Sequence, residues 1–214
     1  MFRTKAEAIE FVGGLSKPSK MPGWSFGISA DLCNVGGILR DIEGSVCSKC
    51  YAKKGAYTWK STVNAHARRH ARLVEALHNT ITRESWIAAM VRALKGESEF
   101  RWHDSGDLQS LEHLEMIADV ARRTPWVDHW LPTREFGILR RFLKLHQRPR
   151  NLVIRMSTQM MDEEPPKGFE HTSSVHKNSA AHGYECPSRF QDNQCGPCRA
   201  CWDENIKNVS YFAH

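Results

Sequence analysis

Glu99-Phe100-Arg101-Trp102-His103-Asp104-Ser105-Gly106-Asp107 is the stretch on which the reading of this chain turns. Residues 99–103 read as a strand, and a polar, glycine-containing turn follows at once. Residues 111–122 then read as a helix, 127–131 as a strand, 136–145 as a helix and 151–156 as a strand rich in β-branched and apolar residues. Upstream, a short helix over 1–12 and a broken lead-in with Gly13-Gly14, Pro18 and Pro22-Gly23 precede a strand at 24–29. Helices at 61–78 and 83–94 come next, and 171–175 and 209–212 are weaker strand candidates. Strands alternating with helices predict a parallel α/β sheet with crossovers. Six strands are too few for a closed eight-stranded barrel, so an open, partial barrel is expected.

Polar residues collect where such folds place their active sites, just after the strands. They are Asp31 and Cys33 after the first, Asp104 to Asp107 after the second and Thr133-Arg134-Glu135 after the third. Ser157-Thr158-Gln159 follow the fourth and His176-Lys177-Asn178-Ser179 the next candidate. With 214 residues, 41% of them hydrophobic, the chain is long enough for one core, and one domain over 1–214 is expected. No apolar run reaches membrane-spanning length and no signal-peptide pattern is read, so the expected location is the cytoplasm. A net charge of +6 permits an anionic partner such as nucleic acid without demanding one.

Seven cysteines fall into two sets. Cys33, Cys47 and Cys50 read as C-x13-C-x2-C, and Cys186, Cys195, Cys198 and Cys201 as C-x8-C-x2-C-x2-C. An odd number of cysteines in a cytoplasmic chain points to metal ligation rather than to disulfides. Three thiolates leave a coordination position open for chemistry, and four can close a site. For the first set the expectation is a [4Fe-4S] cluster, with zinc held by the three cysteines and a histidine such as His66 or His103 as the alternative. For the second, an auxiliary segment over 183–205, a further [4Fe-4S] cluster is expected because ferredoxin-type loops share the C-x2-C-x2-C run, with structural zinc as the alternative. Little apolar material lies between residues 162 and 205, so a metal would help to order that tail.

Ser19-Lys20-Met21-Pro22-Gly23-Trp24-Ser25-Phe26, the CxxCYAKKGAY run over 47–57 and His103 to Asp107 resemble the phage "gene product 88" proteins, which are similar to radical S-adenosylmethionine enzymes. The resemblance implies a partial (β/α)6 barrel of radical-S-adenosylmethionine type, with the open-site cluster at its mouth and a cysteine-rich C-terminal metal-binding segment. It implies a phage protein that cleaves S-adenosylmethionine reductively in the host cytoplasm, with an electron donor and an unknown substrate as partners. Ser105-Gly106-Asp107 approximates the glycine motif that receives the cofactor's amino group; Arg134 is the candidate for its carboxylate and Ser157 for its ribose. The C-x13-C-x2-C spacing departs from the superfamily's C-x3-C-x2-C. A different class of reading is a metal-stapled module that binds nucleic acid, and a third is a degenerate barrel serving as a redox or scaffold protein.

Other features read more plainly. His66 and His70, four apart on a helix, are expected at the surface. Gly36-Gly37 reads as a flexible point in the first cysteine loop, and the seven tryptophans as core or cluster-shielding groups. Asp104 and Asp107 could act as a carboxylate pair, although turn chemistry explains Asp104 equally well.

Overall fold

The computed structural model describes residues 2–213. Its centre is a seven-stranded sheet in the order β1-β2-β3-β4-β5-β7-β6, parallel at every pairing. The strands are β1 Trp24–Phe26, β2 Glu99–Trp102, β3 Asp128–Thr133, β4 Leu152–Ser157, β5 Thr172–His176, β6 Tyr184–Glu185 and β7 Asn208–Phe212. Helices α1 Lys5–Phe11, α2 Asn34–Leu39, α3 Lys60–His78, α4 Thr80–Ala93, α5 Leu111–Arg123 and α6 Phe136–Leu145 supply connections and one covering layer. The first five strands lie side by side in chain order, as expected of a sheet grown by successive crossovers.

Period-two alternation sorts each strand between two unlike faces. Phe26, Phe100, Trp102, Leu131, Ile154 and Met156 belong to the main core with Trp86, Met90, Leu114, Ile117 and Phe142 from the helices. Helix α5 buries Leu114, Ile117, Ala118 and Ala121 at three- and four-residue spacing. Ser110 caps it by accepting the His113 N–H, and Arg122 and Arg123 complement the dipole of its last turn.

The opposite face carries Arg101, Trp130 and Arg155 and is covered by the four-cysteine segment. Trp130, Ala200, Cys201, Trp202 and Val209 form a second, smaller core. Trp130 and Trp202 meet edge to face with centroids 5.1 Å apart, and Trp202 Nε1 donates to the Phe100 carbonyl at 3.0 Å. Arg155, wholly buried, donates to the carbonyls of Ala200, Cys201, Asp203 and Ile206 at 2.8–3.0 Å. One guanidinium on β4 thus fastens the segment's backbone, which has few ladder bonds of its own.

Several expectations change. The helix expected over 1–12 is Lys5–Phe11, begun by Thr4, whose hydroxyl accepts the Glu7 N–H; Met1 lies outside the described residues. Strand β1 ends at Phe26, because Gly27 turns its carbonyl to Arg69 and the Ile28 N–H goes to the Ser105 carbonyl. Gly36-Gly37 lies inside α2 rather than at a flexible point. His66 is buried and stacked on Tyr57, while Trp59 is 65% exposed. Strand β6, only two residues long, was below the length that alternation can reveal. No helix among the described residues is long and apolar enough to cross a membrane.

Candidate metal centres

The loop bearing Cys33, Cys47 and Cys50 is ordered despite its long spacer. After Cys33 the chain forms α2, then reaches across the sheet to the segment that follows β4. There Ser45 and Met160 form an isolated antiparallel bridge. Val46 N donates to the Gln159 carbonyl and Met161 N to the Gly44 carbonyl, at 2.9 and 3.0 Å. The spacer therefore spans from the end of β1 to the end of β4 and returns Cys47 and Cys50 towards Cys33.

Gly36 marks where the sulfurs converge. A Cβ built there would stand 3.4 Å from Cys47 Sγ, 3.7 Å from Cys33 Sγ and 3.1 Å from Cys33 Cβ. Burial first, then the charges of Asp107, Cys50 and Cys47, push the Cys33 thiol up to about 12. Burial also raises Cys47, with Arg134 pulling the other way. Such thiols become thiolates when a metal displaces their protons. Two sulfurs, those of Cys33 and Cys47, meet at Gly36, and Cys50 lies near enough for its charge to act on Cys33. Thiolate donors suit a thiophilic metal better than an oxygen-seeking ion.

The sequence-predicted cofactor residues lie along this carboxyl edge. Asp107 Oδ1 accepts from Thr133 Oγ1 at 2.6 Å and from its neighbour Leu108 N at 2.8 Å, while Oδ2 accepts from Arg134 N at 2.8 Å. Burial, opposed by these bonds, raises its carboxyl. Arg134 Nε donates to the Thr158 carbonyl at 3.1 Å, so Asp107, Arg134 and the end of β4 form one bonded arc. Ser157 shares a 2.9 Å hydrogen bond with Ser173, and Ser105 Oγ is buried without a partner. Gly106 has φ +81°, and a side chain there would run into Ile28, so packing against the end of β1 already demands glycine.

Asp104 belongs to a separate network. Its carboxylate accepts from Ser25 Oγ at 2.9 Å and Tyr57 Oη at 3.3 Å, and its carbonyl accepts from Tyr51 Oη at 2.7 Å. No hydrogen bond joins it to Asp107, whose partners are Thr133, Leu108 and Arg134. Two participants escaped the sequence reading, Tyr51 and Arg101, and Glu135 reads there only as one of the polar residues after the third strand, with no role of its own. Glu135 Oε1 accepts the Val35 N–H, and Tyr51, next to Cys50, accepts from Arg101 Nη2 at 3.0 Å. The only sequence signal was position: Glu135 just after a strand, Tyr51 just after a cysteine, and Arg101 on the polar side of β2.

The second set lies against the face of the sheet that carries Arg101, Trp130 and Arg155. Cys198 N donates to the Cys195 carbonyl at 3.0 Å, closing a tight turn between two thiols. Cys201 Sγ lies 3.1 Å from Tyr211 Oη and Cys198 Sγ 3.5 Å from Tyr184 Oη. Burial pushes Cys201 up to about 12. Burial and the neighbouring Cys186 and Cys198 raise Cys195, with Arg101 and Arg199 opposing. All seven cysteines are free thiols, and among the described residues no three His, Cys, Asp or Glu side chains are drawn around a single ion position.

The family model described as Gene product 88 matches residues 3–204. The chain belongs to the Gene product 88 family. No curated protein and no solved structure matches it. The stretch that matches the Gene product 88 model contains all seven cysteines, Arg101 and Arg155, and it ends just before β7.

Proposed function

We propose that this member of the Gene product 88 family is an iron–sulfur enzyme of the radical S-adenosylmethionine kind. In this reading Cys33, Cys47 and Cys50 hold an open-site [4Fe-4S] cluster. Cys186, Cys195, Cys198 and Cys201 hold a second [4Fe-4S] cluster, or zinc. The observation that carries the reading is the convergence of the Cys33 and Cys47 sulfurs over Gly36 at the carboxyl edge of a parallel sheet. A bound cluster would supply, from an external electron donor, the electron that cleaves S-adenosylmethionine and starts radical chemistry on a substrate.

The chain's own residues would bind and orient. Arg134 keeps guanidinium donors free beyond its bond to Thr158 and suits the cofactor carboxylate. Ser157 and the buried, unpartnered Thr158 Oγ1 and Ser105 Oγ are available to hydroxyl or ammonium groups. Asp107 already accepts three internal donors, and it serves this reading best by fixing Arg134. A cleft of about 380 Å³ lined by Val35, Leu111, Glu135, Phe136, Ile138 and Arg141 opens beside the loop and offers room for a substrate.

The test is iron, acid-labile sulfide and zinc per chain after strictly anaerobic purification, followed by an assay of S-adenosylmethionine consumption. About eight irons and eight sulfides are expected for two four-iron clusters. About four irons with one zinc would assign the tail to zinc. Zinc without sulfide would sink the reading.

One observation favours a second reading, a metal-stapled nucleic-acid-binding module. No acidic residue occurs from Ser45 to Val74, and exposed Lys49, Lys54 and Lys60 accompany the exposed Trp59 beside the first centre. Steeply salt-dependent binding of a single-stranded oligonucleotide, with no response to S-adenosylmethionine, would favour it.

A further inference from the structure

Two guanidinium groups lie on the sheet face covered by the four-cysteine segment, and among the described residues neither has a carboxylate within ion-pair distance. Arg155 is 0% exposed and gives its donors to backbone carbonyls, including those of Ala200 and Cys201. Arg101 stands 4.4 Å over the ring of Trp130, which in turn packs on Trp202, the residue after Cys201. Its Nη2 donates to Tyr51, its Nη1 faces Met21 Sδ, and its Nε is enclosed without a partner. Carbonyl dipoles and aromatic faces solvate a cation but do not neutralise it, and an unbalanced charge in a low dielectric is strongly disfavoured. Asp104, linked to Arg101 through Tyr51, acts on it beyond ion-pair distance, which leaves room for an anion on this face, and what packs against it is the four-cysteine segment.

We propose that Cys186, Cys195, Cys198 and Cys201 bind their metal as a net-anionic tetrathiolate centre, and that the sheet supplies its countercharge as Arg101 and Arg155. The proposal rests on reading these four cysteines as a metal site. A divalent ion on four thiolates and an oxidised four-iron cluster on four thiolates both carry a net charge of about −2. Two monocations, Arg155 wholly buried and Arg101 half-buried, match that charge for either occupant. Because Arg101 also holds Tyr51, next to Cys50, it places one charge between the two cysteine sets.

Arg101 makes no hydrogen bond to the backbone of residues 183–205, so its charge can be removed without cutting the segment's anchors. The experiment uses the full chain with Cys33→Ser, Cys47→Ser and Cys50→Ser, loaded with zinc as the probe metal. Zinc retention is read by competition against a chromophoric chelator. Arg101→Met is expected to release zinc about tenfold more readily, and the charge-conserving Arg101→Lys to stay within about threefold of its parent. Arg155→Lys is expected to keep more zinc than Arg155→Met, which removes both the charge and the backbone anchors. Parent-like retention in Arg101→Met would overturn the proposal, as would equal loss in the Met and Lys variants, which would make contact rather than charge the cause. A control carrying Cys195→Ser and Cys198→Ser separates the two readings: if it holds zinc as tightly as its parent, the site itself is not there.

Discussion

Glu135 Oε1 accepts the backbone N–H of Val35 at 3.0 Å, joining the start of α6 to the first turn of α2, two residues beyond Cys33. The carboxyl is buried, and burial raises its pKa against this bond. A hundred residues of sequence separate the partners, yet the contact fixes the helix on which the sulfur cradle is built. Removing it leaves a part-buried N–H without its acceptor. Glu135→Ala should cost about 1.5–3 kcal/mol in chemical denaturation and lower iron retained at the first centre. Glu135→Gln should recover most of both. An alanine variant that unfolds and loads like the parent would disprove the role.

Gly36 and Gly37 are neighbours in α2 with opposite surroundings. A methyl at Gly37 meets nothing within 4 Å, whereas one at Gly36 enters the space between Cys33 and Cys47. Gly37→Ala should raise stability by about 0.5–1 kcal/mol through helix propensity alone. Gly36→Ala should forfeit that gain and reduce iron at the first centre. Equal iron content in the two variants would remove Gly36 from the cradle.

Asp107 joins the loops after β2 and β3 through Thr133, Leu108 and Arg134. Asp107→Ala leaves those buried donors unpaired and should cost about 2–4 kcal/mol in metal-free protein, before any cofactor is added. Its effect on S-adenosylmethionine binding should then follow from a displaced Arg134, so Arg134→Gln should weaken binding with a smaller loss of stability. If Asp107→Ala is as stable as the parent, the internal bonds matter little and direct contact with the cofactor is favoured.

Buried histidines set an acid limit. Burial holds His129 and His113 down at about 3. His129 also accepts from Trp102 Nε1 on Nδ1 and shares a 2.8 Å bond with Thr124 on Nε2. A depressed folded pKa means that the unfolded chain binds the proton first. The stabilisation is therefore complete above the unfolded value near 6.5 and is lost as pH falls towards about 3. Each such histidine adds a slope on the order of 1.4 kcal/mol per pH unit in that window. Urea midpoints of His129→Gln should fall less steeply between pH 6 and pH 4 than those of the parent, and parallel curves would contradict the assignment.

Metal removal should act unevenly. The segment over 183–205 holds one two-residue strand and one short 3-10 turn, whereas α3, α4 and α5 pack in the main core. Chelation or oxidation of its thiols should expose cleavage sites between residues 183 and 201 while the helices stay protected. Proteolysis that begins instead within α3 to α5 would show that the segment is held by Arg155 and Trp202 without metal.

The alternation of Phe100 and Trp102 with Glu99 and Arg101, and the helical spacing of Leu114, Ile117 and Ala121, were enough to reveal a parallel α/β sheet. Apolar periodicity is local, and it records which side of each element faces a core. The division of the cysteines into three and four was equally open to reading, because ligand count and C-x2-C spacing are properties of the chain. Only the tertiary structure decided what the polar side of the sheet faces. Arg101 and Arg155 alternate with apolar residues as solvent-facing residues would, and nothing local distinguishes water from a cover supplied far along the chain. Arg199 reaches Glu99, and Trp202 reaches Phe100, across 100 and 102 residues. The same limit hid α2, where propensity argues against two glycines and the helix stands because Glu135 and the sulfurs of Cys33 and Cys47 surround it. Local pattern determined the elements and the donor atoms, and long-range packing decided which charges meet them.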